Sequence, residues 1–194
     1  MNILKITSLA FFLLLINTAT FAGSSYVIDS EFSSVNFSVT KKQYIIEPAV
    51  FQDVEGSIDE KGNLNISIDI NSVDSSNPIR DNRLIDLFFQ ADFFPAAIVT
   101  AKIDDKILNS KETLQIVKIA ATLEFFETKK DISLDVMVAK MGNNIIVTSL
   151  KPIIVNAKMF NVPSENLNAL SKVCGGITIS DIVPVNFVLT LVKK

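Results

Sequence analysis

In the stretch SVNFSVT every second residue is apolar: Val35, Phe37 and Val39 alternate with Ser34, Asn36 and Ser38. LNISIDI repeats the pattern with Leu64, Ile66, Ile68 and Ile70 against Asn65, Ser67 and Asp69. A period of two sends successive side chains to opposite faces of an extended chain, so each stretch predicts a strand with one dry face and one wet face. AAIVTAKI, LQIVKIAATLEF, ISLDVMVAK, NIIVTSLK and VPVNFVLTLV predict further strands. Gly62-Asn63, closing DEKGN, reads as a hairpin turn, and Gly142-Asn143-Asn144 turns the chain between two later strands.

Two stretches have helical rather than alternating spacing. The first runs around Arg80–Phe88 behind DSSNP, where Ser or Asn can cap and Pro78 can sit in the first turn. The second is SENLNALSKV, Ser164 to Val173, with Gly175-Gly176 as the stop. Many strands, tight turns and at most two short helices predict an antiparallel all-β domain. The pattern alone does not choose between an open sandwich, which leaves edges to guard, and a closed barrel, which has none.

The N-terminus changes the expected compartment. Lys5 precedes LAFFLLLI (Leu9–Ile16), an apolar run short for a bilayer span, and NTATFA follows with small residues at Thr20 and Ala22. This is the layout of a cleavable secretory signal over residues 1–22, leaving 23–194 as one exported domain, periplasmic or secreted, with no integral span. Cys174 is the single cysteine, so stability is expected from packing and not from an internal disulfide.

Charge and chemistry narrow the function by exclusion. The chain carries 18 basic and 21 acidic residues, a net charge of −3, which argues against nucleic acid as a partner. It contains no histidine. Imidazole-based nucleophilic catalysis and the usual zinc or copper sites are therefore not expected, and no catalytic residue, metal or cofactor is assigned. A carboxylate pair can still run glycoside chemistry, but the Asp and Glu residues are scattered over polar faces and turns.

The chain resembles the YceI-like family of exported, lipocalin-like, polyisoprenoid-binding proteins. The likeness is carried by YVIDSEFSSVNFSV at the start, NSVDSSNPIRDNRL and FFQADFFP in the middle, ATLEFFETKKDISLDV later and ISDIVPVNFVLTL at the end. The family often has His where this chain has Phe32, and His-Gly where it has Phe125-Phe126. The resemblance implies an antiparallel barrel of about eight strands holding an isoprenoid or similar long-chain lipid. On that reading Val35, Phe37, Val39, Phe51, Leu64, Ile66, Ile68, Ile70, Phe125 and Phe187 line a tunnel. Alternation by itself marks burial, so the same residues also suit an ordinary core.

Arg80 and Arg83 are the only arginines, and they stand just ahead of Phe88-Phe89 and Phe93-Phe94. At i and i+3 on a helical turn they share a face. The planar guanidinium suits a phosphate or carboxylate head group at a tunnel mouth. It equally suits a clamp in which Arg80 pairs with Asp74, Asp81 or another local carboxylate, leaving Arg83 freer. The four phenylalanines are expected to gate or plug that end. Three functions stay open: a non-catalytic lipid binder, a carboxylate-only envelope enzyme, and a ligand-free module acting through its surface in envelope stress or adhesion. A homodimer is compatible with each.

Overall fold

The alternating stretches do form strands: β1 (Tyr26–Ile28), β2 (Ser34–Lys41), β3 (Ile45–Phe51), β4 (Val54–Ile58), β5 (Asn63–Asp69), β6 (Val73–Asp74), β7 (Ala96–Lys102), β8 (Leu114–Phe125), β9 (Thr128–Met141), β10 (Asn144–Ser149), β11 (Ile153–Asn156) and β12 (Ile182–Lys193). The structure is a computed structural model that describes residues 25–194. The expected signal segment, residues 1–22, lies outside the described residues.

The hydrogen-bond ladder runs β1-β4-β5-β7-β8-β9-β10-β12, and β12 pairs back onto β1 through Tyr26↔Lys193 and Ile28↔Leu191. Every one of these pairings is antiparallel, so the sheet closes into an eight-stranded barrel. Closure removes the free edges that a sandwich would have left. Four staves of the barrel are bent: β2 continues β1, β3 leads into β4, β6 follows β5 and β11 follows β10. The first half of β12 pairs with β2 and β11, and its second half with β1 and β10.

Two of these bends have a local cause. Asp29 and Asp69 each turn a carboxylate back onto the backbone N–H two residues on, Glu31 and Asn71, and start a short 3-10 turn. The first bend is then tied to the far end of the chain. Ser33 Oγ accepts from the Thr190 N–H at 2.9 Å, and the Thr190 hydroxyl donates to the Phe32 carbonyl at 3.0 Å.

Helical segments close both ends. At one end α1 (Pro78–Arg83) is capped by the Asn77 side chain, which accepts from Ile79 and Arg80 N–H, and Pro78 occupies the first turn. It runs into a π-helical segment, Leu84–Phe89, that stops where Gln90 takes a left-handed φ of 50°. A further helix, Ser164–Val173, packs on that segment, and its buried Asn166 donates to the Phe88 carbonyl at 2.9 Å. At the other end a single turn, α2 (Asp105–Leu108), is capped by Asp104; the Ser164–Val173 helix is therefore α3. The turn was not expected from sequence, because four residues are too few to show a helical period. Among the described residues no helix is long and apolar enough to cross a membrane.

One glycine is forced by close packing between strands. A Cβ on Gly56 in β4 would stand 2.4 Å from the Asn65 carbonyl oxygen and 2.9 Å from Ile66 Cα, both backbone atoms of β5. Gly56→Ala is expected to cost about 1–3 kcal/mol, because the ladder itself must shift. Chemical denaturation checks it: an unchanged midpoint would show that β4 and β5 can part at no cost.

Candidate ligand-binding site

The inward faces of the strands do not fill the barrel. Two apolar cavities of about 130 and 140 Å³ lie along its axis. They share Val35, Ile68, Leu123, Val155 and Val185, so the two adjoin, one beneath the helical cap and the other reaching α2 at the opposite end. Interiors are ordinarily packed to crystal-like density, with few voids larger than a water. An apolar void of this kind stays dry and favours an apolar occupant.

The ten apolar residues expected to face the interior all border it. Val35, Phe37, Val39, Phe51, Ile68, Ile70 and Phe125 line the cavity under the helical cap. Leu64, Ile66 and Phe187 line the cavity nearer α2, together with Val35 and Ile68. Ile70 sits in the 3-10 turn beyond β5 rather than in the strand itself. Phe37 stacks on Phe51 with centroids 5.0 Å apart, and Phe89 meets Phe37, Phe51 and Phe125 edge-on at 6.4, 5.7 and 6.1 Å. Edge-on and offset rings of this kind add directional preference to area burial. The result is a stiff aromatic collar around the upper cavity.

The four phenylalanines of the connection separate in space. Phe88 and Phe89 project from the π-helical segment into the cavity lining. Phe94 stacks on Phe126 at 4.3 Å, outside the cavity, and Phe93 is 77% exposed. Phe93 therefore neither gates nor plugs the interior: it follows the αL residue Gln90 and turns outward. Phe32, where the family often has His, is also exposed, whereas Phe125 belongs to the collar.

Beside the cap a polar groove of about 350 Å³ adjoins the upper cavity through Val39, Leu84 and Leu170. Arg80 and Arg83 both line it. Arg80 does not pair with Asp74, Asp81 or another local carboxylate. Its Nη2 bonds Glu47 Oε1 at 3.0 Å, 33 residues away in sequence, and its Nη1 donates to the Ser75 carbonyl at 3.1 Å. Asp81 is taken by the Ser75 N–H and hydroxyl, and Asp74 by Gln52 and the Ser76 N–H. Lys41, nearly buried, pairs with the other Glu47 oxygen. Arg83 is half-buried and makes no ion pair among the described residues. Two cations on one carboxylate, with Arg83 beside them, leave the groove positive.

Lys41 and Glu47 were not picked out from sequence, although a signal existed. The inward column Val35, Phe37, Val39 continues by the same period to Lys41, and Val39↔Glu47 is a cross-strand pair. The column changes from apolar to charged where the barrel opens onto the groove.

Two lysines stand behind the cavity linings, each held by a polar partner. Lys158, 2.7 Å from Asp181 at the side of the upper cavity, holds that carboxyl below the usual carboxylate range by hydrogen bond and charge. Lys140 donates to the Leu108 and Ser110 carbonyls, both at 2.7 Å, and ties α2 over the lower end. Burial pushes its ammonium below the usual lysine range.

A family model described as the YceI-like domain matches residues 26–191. A polyisoprenoid binding domain from Saccharophagus degradans, implicated in plant cell wall breakdown, superposes with a TM-score of 0.82 at 26% identity, over 87% of this chain and 98% of that one. BcnA of Burkholderia cenocepacia superposes with a TM-score of 0.60 at 13% identity, over 84% of this chain and 98% of that one, a likeness of fold. No curated protein sequence matches the chain.

Proposed function

Because the chain belongs to the YceI-like family, we propose that it is an exported, periplasmic binder or carrier of an isoprenoid or similar long-chain lipid, held along the barrel axis without chemical change. The observation that carries this reading is the pair of adjoining apolar cavities, which among the described residues meet polar side chains only at Ser180 and Asp181. A slender hydrocarbon suits it because every buried CH₂ contributes about 0.8 kcal/mol. A few isoprene units then reach micromolar affinity once ordering costs of about 4–15 kcal/mol are met. The polyisoprenoid binding described for the Saccharophagus domain, which matches this chain over most of both lengths, points to the same ligand class.

The head group is assigned to the groove beside the cap. It adjoins the upper cavity, and Arg83 offers a guanidinium with no carboxylate engaged. Catalysis on a lipid would need a pair of acid–base groups facing it. Among the described residues, the two cavities are lined by one carboxylate, Asp181, which Lys158 already holds.

Organic extraction of freshly purified protein followed by lipid mass spectrometry tests the reading. A long-chain apolar lipid in stoichiometric amount is expected, and a clean, empty interior would refute it. Ala97 offers a sharper form of the test, since it is buried and lines the upper cavity. Ala97→Leu should fill part of the void and lower lipid occupancy several-fold. Stripped protein should melt no lower than wild type, because filling a void commonly adds about 0.5–2 kcal/mol. Equal lipid in both proteins would place the ligand outside the barrel.

A further inference from the structure

We infer that the end of the barrel carrying the groove docks on an anionic lipid bilayer, with the β2–β3 hairpin as the part that enters the interface. The hairpin connection is Lys42–Tyr44, between Lys41 and its cross-strand partner Ile45. Tyr44 is 78% exposed, Ile46 67%, and Ile79 on the adjoining α1 65%. Scattered exposed hydrophobics are ordinary, but these three come from elements that border one groove and are locked together by the Arg80–Glu47 bond. Lys42 and Gln43 hold left-handed φ values of 50° and 70°, which residues with side chains adopt at a cost, so the tip is presented in a set shape.

The charges around this tip fit a lipid surface better than a protein groove. Lys42 stands in the tip, Lys172 lies near the end of α3 beside the groove residue Cys174, and Arg83 lines the groove. Of the neighbouring acids, Glu47 is ion-paired by Lys41 and Arg80, while Asp81 and Asp74 keep their charge and accept hydrogen bonds from Ser75, Gln52 and Ser76. Five cations (Lys41, Lys42, Arg80, Arg83 and Lys172) stand against four carboxylates (Glu47, Asp74, Asp81 and Asp86), so in a chain of net charge −3 this end is locally positive by one. An amphipathic tyrosine and two isoleucines beside Lys42, with Arg83 in the adjoining groove, is a composition that settles at a headgroup layer. The surface adjoins the upper cavity through Val39, Leu84 and Leu170, so a docked barrel would face the bilayer with the mouth through which a lipid has to pass. The purpose of docking rests on the lipid-carrier reading; the surface itself does not.

Vesicle flotation tests it, using vesicles of phosphatidylethanolamine with phosphatidylglycerol against vesicles of phosphatidylcholine alone. N-terminal sequencing should confirm that wild type and variants start at the same residue. Wild type is expected to float with the anionic vesicles, less so at high salt. A Tyr44→Ser, Ile46→Ser double variant should lose about five-fold or more of that partition. Lys42→Glu should lose more than about five-fold, since each lysine near an anionic surface is worth about 1 kcal/mol and the new carboxylate adds repulsion. Ile116→Ser removes an equally exposed isoleucine from β8, away from the groove, and should float like wild type. The altered residues are exposed, and unchanged melting temperatures should show that all the variants fold. The inference is overturned if wild type does not float with anionic vesicles, if Ile116→Ser loses as much as the tip variant, or if Lys42→Glu floats undiminished. Lipid extraction from the same preparations separates the two readings: flotation with an empty interior sinks the carrier and keeps the docking surface.

Discussion

Phe37→Asp is expected to destabilise the protein by at least about 4 kcal/mol, a large share of the roughly 5–15 kcal/mol that holds a native domain together. Phe37 is buried on the inner face of β2, stacked on Phe51 and edge-on to Phe89. Removing the ring alone costs about 3–5 kcal/mol at such a site. The carboxylate adds a desolvation cost, because the side chains around it in the upper cavity are nearly all apolar and offer no cation. Phe37→Leu provides the control and should lose only about 1–2 kcal/mol, since the position stays apolar. Urea denaturation followed by far-UV circular dichroism measures both. A Phe37→Asp midpoint close to wild type would mean that Phe37 points outward and that the inward register of β2 is wrong.

The second large effect separates the two arginines. Arg80→Ala should destabilise the protein by about 2 kcal/mol with or without ligand. It strips Glu47 of one of its two cations in a partly buried setting and frees the Ser75 carbonyl that helps seat α1. Arg83→Ala should leave the melting temperature of stripped protein nearly unchanged, because no ion pair is broken. Its affinity for a phosphorylated isoprenoid should fall about ten-fold or more, the worth of a charge-assisted contact. Affinity for the matching uncharged alcohol should hold, since the tunnel walls are intact. Titration calorimetry with both ligands makes the comparison. Undiminished binding of the phosphorylated ligand by Arg83→Ala would remove the head-group role and leave both arginines structural.

The two arginines mark the limit of what local sequence rules decide in this chain. For Arg80 the sequence offers both a head-group contact and a clamp on a local carboxylate, and the structure pairs it with the distant Glu47. Asp74 and Asp81, the expected partners, stand close in sequence. The barrel instead brings Glu47 of β3 against α1, while the nearby acids are drawn to backbone N–H groups and hydroxyls. Short turns consume their own carboxylates, so the cation is left for one that arrives from another strand. Phe93 failed for a related reason. Phe88, Phe89, Phe93 and Phe94 are alike in sequence, and only the left-handed turn at Gln90 decides which rings face inward.

Much else was legible because it depends on local rules. Period-two alternation placed Val35, Phe37, Leu64, Ile66 and Ile68 on inner faces. Asn77-Pro78 marked the start of one helix, and Gly175-Gly176 the end of another, at φ of 84° and 73°. Gly62, at φ 79°, ended the turn where a hairpin was expected. These features follow from backbone sterics, capping and the two-sidedness of a strand, which a linear chain carries in full. Alternation says that a side chain leaves water, and stops there. Whether the space it enters is filled depends on the barrel's radius, on the bends at Asp29 and Asp69 and on the helices that close each end. The cavities, the Lys41–Glu47–Arg80 cluster and the positive rim around the Lys42–Tyr44 tip exist only because closure joins residues far apart in the chain.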